Sequence, residues 1–260
     1  MLKAWFFAYP ELDRTIELAK RIEELNYDYM LLPFNSEMPD PLSKSLIMFA
    51  NTEKIGCWVA LPGYAAHPTY INMIYKTIHE AFPNRKLSLN IIDGGLQEDP
   101  TKFGIGKNKK LIKELNKIFS KKIKALDSNI DLVFSGSSLQ TVETANIYGS
   151  LQLIMLKDLE LINSYSLNHK NIIVRMWICA RETDELAQID SNNILKKFEE
   201  DDYLRDYFLQ RIKDNLIIGS YENVANQIKK LEEKDVHGIL VSDIILSNDE
   251  ENVHKAMVLV

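Results

Sequence analysis

The segment Ser135-Gly136-Ser137-Ser138 combines residue types that can bind a phosphate. It ends the apolar run 131–135 and precedes a helical pattern that begins near Leu139. Glycine lets the backbone approach a ligand closely, and hydroxyl groups beside the free N–H groups of a helix start form an anion site. The same residues also suit a tight turn in which Ser138 only caps the helix. The pattern alone leaves both interpretations open.

Arg175 and Trp177 stand two residues apart in an apolar run and therefore lie on the same side of a strand. Trp177 can stack on a flat aromatic cofactor or can belong to the core. An arginine that points into the fold needs an anion. Arg175 can pair with Asp93 or Asp243, face an anionic substrate, or point outwards and form a structural salt bridge. The sequence does not determine which face of the strand, inward or outward, these two side chains occupy.

Several other chemistries find no support in the sequence. Ser137 and Ser138 lack the two flanking glycines of a nucleophile elbow, and the five histidines show no metal-ligand spacing. We therefore expect neither a catalytic triad nor a metal. The net charge of -6, without a basic stripe, argues against nucleic acid as a partner.

The two cysteines lie far apart in the sequence, which predicts a reducing, cytoplasmic environment. No apolar run reaches about 18 residues, so we expect no membrane partner.

Eight short apolar runs alternate with helical patterns along the chain. The runs cover residues 2–8, 29–33, 54–61, 87–92, 131–135, 151–155, 172–180 and 238–242. Eight successive right-handed βα units close into a (β/α)8 barrel, the α/β fold that we predict for residues 1–260 as a single domain. The structural alternative is an open, doubly wound sheet.

The helical patterns make further predictions. Thr183 and Ser220 are expected to cap helices. The polar, acidic segment 192–215 is expected to form an extra helix or a mobile loop. In the helix predicted over residues 109–126, five side chains are expected to face inward, namely Leu111, Leu115, Ile118, Ile123 and Leu126.

Active sites of such barrels lie at the C-terminal ends of the strands. The candidate ends include residues 7–9 after the first strand, 90–95 after the fourth and 135–138 after the fifth. Phosphate sites in barrels more often follow the seventh and eighth strands, so the fifth-strand turn is an unusual position for one.

Three stretches together resemble the flavin-dependent monooxygenases of the bacterial luciferase and alkanesulfonate monooxygenase type. Residues 58–69 resemble the family's strand that ends in Pro-Gly and leads to a Ser-Pro-Thr helix start. Residues 90–95 resemble the end of the family's next strand, Asn-x-x-Thr-Gly-Gly. Residues 134–138 are similar to the family's Gly-Gly-Ser-Ser phosphate turn. Residues 218–225 and 236–242 are similar to its closing helix and strand, and Arg175 with residues 181–183 fits its strand seven. The motifs occur in the family's order and cover almost the whole chain.

The resemblance implies a luciferase-like barrel that binds reduced flavin mononucleotide (FMN), supplied by a separate flavin reductase. It also implies that reaction with oxygen gives a peroxyflavin, which attacks a small organic substrate. By this analogy Gly136, Ser137 and Ser138 hold the phosphate together with Thr141. The resemblance places three residues near the isoalloxazine ring, Ala60, Leu61 and Asn90. Arg175 and Trp177, on strand seven, are the catalytic candidates. A deazaflavin cofactor (F420) is also compatible with the sequence, and relatives suggest a homodimer.

The chain departs from the family at several positions. The family has Arg-x-His on strand seven where this chain has Arg175-Met176-Trp177, and it has a cysteine where residues 36–41 have none. It also has a large insertion after strand seven and a tyrosine after the Ser-Gly of the final strand, where Ser242-Asp243 stands here. Two alternatives therefore stay open: a non-catalytic relative that binds flavin or nothing, and a barrel enzyme that acts on a phosphorylated metabolite.

Overall fold

The computed structural model describes residues 1–6, 11–94, 99–165, 171–244 and 249–260. Within them, nine parallel strands form one sheet. The strands are β1 Leu2–Phe6, β2 Tyr29–Leu32, β3 Gly56–Leu61, β4 Leu87–Ile91, β5 Asp131–Ser135, β6 Leu151–Met155, β7 Asn171–Arg181, β8 Leu216–Ser220 and β9 Val236–Asp243. The predicted strand end at residues 7–9 and Gly95 lie outside the described residues.

Helices alternate with these strands. They are α1 Leu12–Glu24, α2 Pro41–Asn51, α3 Pro68–Ala81, α4 Lys109–Leu126, α5 Leu139–Tyr148, α6 Leu159–Ser164, α7 Asp184–Glu200, α8 Asp202–Leu204, α9 Gln210–Lys213, α10 Tyr221–Glu232 and α11 Glu250–Val258. A π-helical segment, Arg205–Leu209, joins α8 to α9, and two short 3-10 helices cover Pro100–Phe103 and Leu156–Asp158. None of the described helices is long and apolar enough to cross a lipid bilayer.

Eight of the strands close into a barrel. The pairings run from β1 through β6 in chain order, continue from β6 to β7 and from β7 to β9, and return from β9 to β1. The predicted (β/α)8 barrel is therefore confirmed, and the open doubly wound sheet is wrong because an open sheet has two unpaired edges.

Strand β8 is an addition that the sequence reading missed. Strand β6 ends its pairing with β7 at Arg175, and β8 begins its pairing with β7 at Trp177. Because β9 already occupies the opposite edge of β7, β8 continues along the edge that β6 leaves free. The five-residue strand contains Gly219 and directly follows a polar segment, so its short apolar run gives a weak pattern.

The apolar core has two layers. An outer layer lies between the strands and the helices, and an inner cluster fills the barrel, made of Ala4, Leu31, Trp58, Val133, Leu151, Leu153, Ile173 and Leu240. Tyr29 stacks on Trp58 with ring centroids 4.9 Å apart. Side chains of this inner cluster fill the barrel as a packed core, so the described residues leave space for a ligand towards the C-terminal ends of the strands.

The buried face of α4 differs from the predicted one. The buried residues are Ile112, Asn116, Phe119, Ser120 and Ile123. Of the five predicted side chains, only Ile123 is among them, whereas Leu111, Ile118 and Leu126 are more than 40% exposed. Two of the buried side chains are polar, and for that reason hydrophobic periodicity selected the wrong face.

The segment 192–215 is helical. Helix α7 extends to Glu200, and Asp201 then accepts a 2.9 Å hydrogen bond from the backbone N–H of Leu204. Both predicted caps are confirmed, because the hydroxyl groups of Thr183 and Ser220 each accept a 3.2 Å hydrogen bond from a backbone N–H of the first turn. This helical segment brings side chains over the C-terminal end of the barrel.

Candidate functional site

A cavity of about 470 Å³ opens at the C-terminal ends of the strands. This volume lies in the range of small-molecule sites, roughly 300–1,000 Å³. Every barrel strand contributes a lining residue, and the set includes Phe6, Leu31, Ala60, Asn90, Ser135, Leu153, Arg175 and Leu240. Most of these side chains are apolar, so the few polar groups among them determine which ligand the cavity can orient.

The structure divides the predicted site residues into two groups. Five line the cavity: Ala60, Asn90, Gly136, Arg175 and Trp177. Ser137, Ser138 and Thr141, in and after the turn that follows β5, do not line it. Thr141 instead lines a separate small pocket together with Asp93 and Lys113. Leu61 is buried in the outer core, because successive residues of a strand point to opposite faces. Its side chain therefore points away from the cavity that its neighbour Ala60 lines.

The turn after β5 is held in place by its surroundings. Gly136 has a φ of +133°, a conformation that side-chain-bearing residues rarely adopt. The amide of Gln152 donates a hydrogen bond to the carbonyl oxygen of Gly136. The hydroxyl of Ser137 donates to Asp158 Oδ2 at 2.7 Å, and the Tyr165 hydroxyl donates to the carbonyl oxygen of Ser137 at 2.9 Å.

Ser138 connects the turn to a cation. Its Oγ atom accepts a 3.4 Å hydrogen bond from the backbone N–H of Thr141, and thereby caps α5, and lies 2.8 Å from Thr141 Oγ1. Lys113 Nζ on α4 donates to the same Oγ atom at 2.7 Å. Ser138 therefore caps α5. The lysine adds what an anion site needs beside a helix start, namely a positive charge.

Asn116, on the buried face of α4, joins two strand ends beside the cavity. Its Oδ1 atom accepts from Gly63 N at 2.7 Å, and its Nδ2 atom donates to the carbonyl oxygen of Ile92 at 2.9 Å and to Asp93 Oδ1 at 3.0 Å. Partial burial raises the pKa of Asp93, while the charge of Lys113 and the Asn116 hydrogen bond act in the opposite direction. Sequence reasoning missed Asn116 because a buried polar residue carries no apolar signal.

Arg175 points into the cavity and is 6% exposed. Its guanidinium carbon lies 3.6 Å from the ring centroid of Phe6 and 4.6 Å from that of Trp177. Nη1 is buried without a hydrogen-bond partner, and within the described ranges no ion pair to Asp93, Asp243 or any other carboxylate forms. Burial, together with the charge of Arg211, lowers the pKa of Arg175 well below its usual value.

Trp177 belongs to the core and to the cavity wall at once. It is 1% exposed and packs in a cluster with Phe198 and Ile212. Its indole Nε1 is buried without a hydrogen-bond partner, and the residue lines the cavity. The two interpretations of this tryptophan are therefore compatible.

The helical segment that precedes β8 supplies one further lining residue, Arg211, and a buried residue that supports it, Asn215. Arg211 on α9 lines the cavity, and its Nη2 atom lies 3.8 Å from Met155 Sδ. Asn215 is fully buried: its carbonyl oxygen accepts from Trp177 N at 3.0 Å, its Oδ1 from Lys157 N at 2.9 Å, and its Nδ2 donates to the Arg211 carbonyl oxygen at 2.8 Å. Nothing in the local sequence distinguishes these two residues from the other polar residues of the segment.

The cavity can hold a flat, mainly apolar ligand with a negatively charged end. In the part of the chain that the structure describes, no three His, Cys, Asp or Glu side chains are arranged to hold a metal ion. Among the described residues, the charged groups that line the cavity are Asp93, Asp158, Arg175 and Arg211.

Several solved enzyme structures share this fold at low sequence identity. No protein-family model and no curated protein sequence matches the chain. A long-chain alkane monooxygenase (LadA) superposes with a TM-score of 0.76 at 13% identity, with 99% of this chain and 89% of that chain covered. A riboflavin lyase (RcaE), solved with modified FMN and riboflavin, has a TM-score of 0.77 at 12% identity, with 97% and 90% covered.

A third similar structure is the oxygenating constituent of 3,6-diketocamphane monooxygenase from Pseudomonas putida, in complex with FMN. It has a TM-score of 0.70 at 14% identity, with 100% of this chain and 96% of that chain covered. At these identities the similarity shows the fold alone, a (β/α)8 barrel.

Proposed function

We propose that the chain is a flavin-dependent monooxygenase that takes reduced FMN from a separate reductase and oxygenates a small organic substrate. The observation that carries this proposal is the cavity itself, which is apolar in most of its lining and has the Gly136 turn at its edge, with Lys113 bound to Ser138. The similar solved structures, which include monooxygenases and FMN complexes, support the same class.

The residues present fit an FMN phosphate. Gly136 allows the backbone to approach a ligand, because no other atom lies closer than 3.5 Å to the position that a Cβ would take. Ser138, Thr141 and the first N–H groups of α5 would donate to the phosphate oxygens, and Lys113 would neutralise part of their charge. Lys113 would also exchange its present contact with Ser138 for the more strongly charged phosphate.

The residues of the cavity also fit a flavin ring. Ala60 offers a small side chain against which a flat ring can pack, and the Asn90 amide would donate to a ring carbonyl or nitrogen. When bound, reduced flavin supplies the electrons that activate molecular oxygen. Phe6, Leu31 and Leu240 exclude water from the reacting atoms, while Trp177 packs beside them. In this proposal the protein acts mainly by positioning and by excluding water.

Anaerobic titration with reduced FMN, followed by protein fluorescence, tests the proposal. Saturable binding is expected, with weaker binding of reduced riboflavin, which lacks the phosphate. Parallel titration with F420 tests the deazaflavin variant. Failure of all three to bind would overturn the flavin assignment and favour a phosphorylated metabolite as ligand.

Catalysis is tested separately from binding. With a flavin reductase and candidate substrates present, oxygen consumption that increases with the substrate is expected. Flavin binding without substrate-dependent oxygen consumption across a broad substrate panel would favour the non-catalytic relative.

We further propose a cytoplasmic homodimer, as the resemblance suggests. Light scattering of the purified protein should give twice the chain mass of 30.0 kDa.

A further inference from the structure

We propose that the cavity binds an organic carboxylate with an apolar body, whose carboxylate group is held by Arg175 and Arg211. As an assignment of substrate class, this inference rests on the proposed function. The anion site itself does not depend on flavin and can be tested without it.

The first argument is the uncompensated charge of Arg175. A buried guanidinium charge without a partner is costly. Among the described residues no carboxylate pairs with Arg175, and its Nη1 atom lacks a hydrogen-bond partner. A ligand that brings a negative charge removes this cost, whereas a neutral ligand leaves it in place.

The second argument is the environment of the guanidinium group. Arg175 lies over the rings of Phe6 and Trp177, and such contacts stabilise the cation. They leave Nη1, at the edge of the guanidinium, without a hydrogen-bond partner. A carboxylate presents two oxygens in one plane, which match the planar fork of an arginine.

The third argument is a second cation in the same cavity. Arg211 lines the cavity, and its charge acts on Arg175. Two like charges destabilise each other unless an anion lies between them. Asp158 offsets part of the Arg211 charge, but its Oδ2 atom already accepts the Ser137 hydroxyl at 2.7 Å, and it forms no ion pair with either arginine within the described residues.

The fourth argument concerns the rest of the ligand. Strand pairing places Met155 and Leu240 opposite Arg175 on its two sides, and both line the cavity together with Leu153 and Phe208. An anion held by Arg175 therefore has apolar side chains around the rest of its molecule. Such surroundings suit an aliphatic or aromatic acid better than a small inorganic anion.

This carboxylate site differs from the proposed phosphate site. Ser138 follows β5 and contacts Lys113, whereas Arg175 lies on β7, and β6 stands between these two strands in the barrel. One cavity can therefore accept a phosphate at one side and a carboxylate at the other.

The test uses the full chain without flavin, near neutral pH, and calorimetric titration with hexanoate and with hexanamide, its neutral analogue of the same shape. Hexanoate should bind saturably, and the affinity for hexanamide should be lower by about tenfold or more. Arg175→Met should abolish the preference for the acid, and Arg211→Gln should reduce hexanoate affinity severalfold. The matched control is Arg205→Gln, because Arg205 lies on the same helical segment but pairs with Asp202 outside the cavity.

A loss of binding in Arg175→Met would not result from misfolding of the variant. Arg175→Met replaces a buried unpaired charge with an apolar side chain, so the variant should be at least as thermally stable as the unaltered protein without ligand. Equal affinity for acid and amide, or unchanged hexanoate affinity in Arg175→Met, would overturn the inference. Displacement of hexanoate by equimolar inorganic phosphate would do the same, because it would reveal one unspecific anion site.

The two proposals fail in different ways. Hexanoate binding without any flavin binding would overturn the proposed function and leave the carboxylate site intact. FMN binding without a preference for hexanoate over hexanamide would overturn only the carboxylate site.

Discussion

The hydroxyl group of Ser135 donates a 2.8 Å hydrogen bond to Oδ1 of Asn90. This bond joins the C-terminal ends of the neighbouring strands β5 and β4 inside the cavity. Because Oδ1 serves as the acceptor, the NH2 group of the Asn90 amide remains as the donor for a ligand. Asn90 is 1% exposed, so a ligand at this point meets an amide whose orientation is already set.

Asn90→Leu should weaken the binding of reduced FMN by about three- to tenfold, because it removes one donor from the cavity wall while it keeps the side-chain volume. Anaerobic fluorescence titration measures the change. Ser135→Ala should have a smaller effect, since it keeps the donor and loses only its orientation. If Asn90→Leu leaves FMN affinity unchanged, Asn90 serves only to connect the two strands.

Gly136→Ala should lower the free energy of unfolding by about 1–3 kcal/mol, because alanine rarely adopts the φ of +133° found there. The nearest atom to a Cβ at this position is Thr141 Cγ2 at 3.5 Å, an ordinary contact, so the cost comes from the backbone and not from crowding. Gly106→Ala is the control, because that glycine has no positive φ and no atom within 4 Å of an added Cβ. Equal stability of the two variants in urea unfolding would contradict this account.

Ser138→Asp should separate the two roles of the turn after β5. Aspartate is a good helix cap, so α5 should keep its stability, while the new carboxylate would pair with Lys113 and repel a phosphate. The affinity for reduced FMN should fall by roughly tenfold, and that for riboflavin should not change. Thr183→Asp alters the cap of α7, away from the cavity, and should change neither affinity. A parallel loss of FMN and riboflavin binding would mean that Ser138 does not contact the phosphate.

His254 should make folding stability depend on pH. The residue is 3% exposed, its Nδ1 atom lies 3.2 Å from the Tyr27 hydroxyl, and its Nε2 atom is buried without a partner. Burial, with a contribution from the charge of Arg21, lowers its pKa to about 4. The unfolded chain takes up this proton near pH 6.5, so stability is full above that pH and falls as the pH decreases towards 4, by up to about 3 kcal/mol.

Urea unfolding at a series of pH values measures this effect. His254→Gln should flatten the decrease between pH 6.5 and 4, and His79→Gln, at an exposed position of α3, should leave it in place. The same slope in both variants would assign the acid sensitivity to other groups.

The barrel could be predicted because its strands and helices are each set by residues close together in the chain. Apolar runs of strand length, helical periodicity and the caps Ser138, Thr183 and Ser220 are all set within a few positions of the chain. The order of these elements then leaves few ways to close the sheet. Strand β8 escaped prediction, since a five-residue strand with a glycine gives too short a pattern.

The candidate site was predictable in part. The turn at Gly136 and the pair Arg175 and Trp177 could be selected because each combines unusual residue types at short spacing. Lys113 could not be selected, since it is one of many lysines on α4 and only the packing of that helix brings it to Ser138.

The sequence by itself therefore determined the eight barrel strands, the main helices between them, their order and the end of the barrel where chemistry can occur, because these follow from local periodicity and chain connectivity. Only the tertiary structure decided that Arg175 points inward without a carboxylate partner, that Arg211 reaches the same cavity and that Leu61 points away from it. These features depend on the phase of each strand and on contacts between residues far apart in the chain. Closure of the barrel sets both at once, because each strand must match the register of two neighbours.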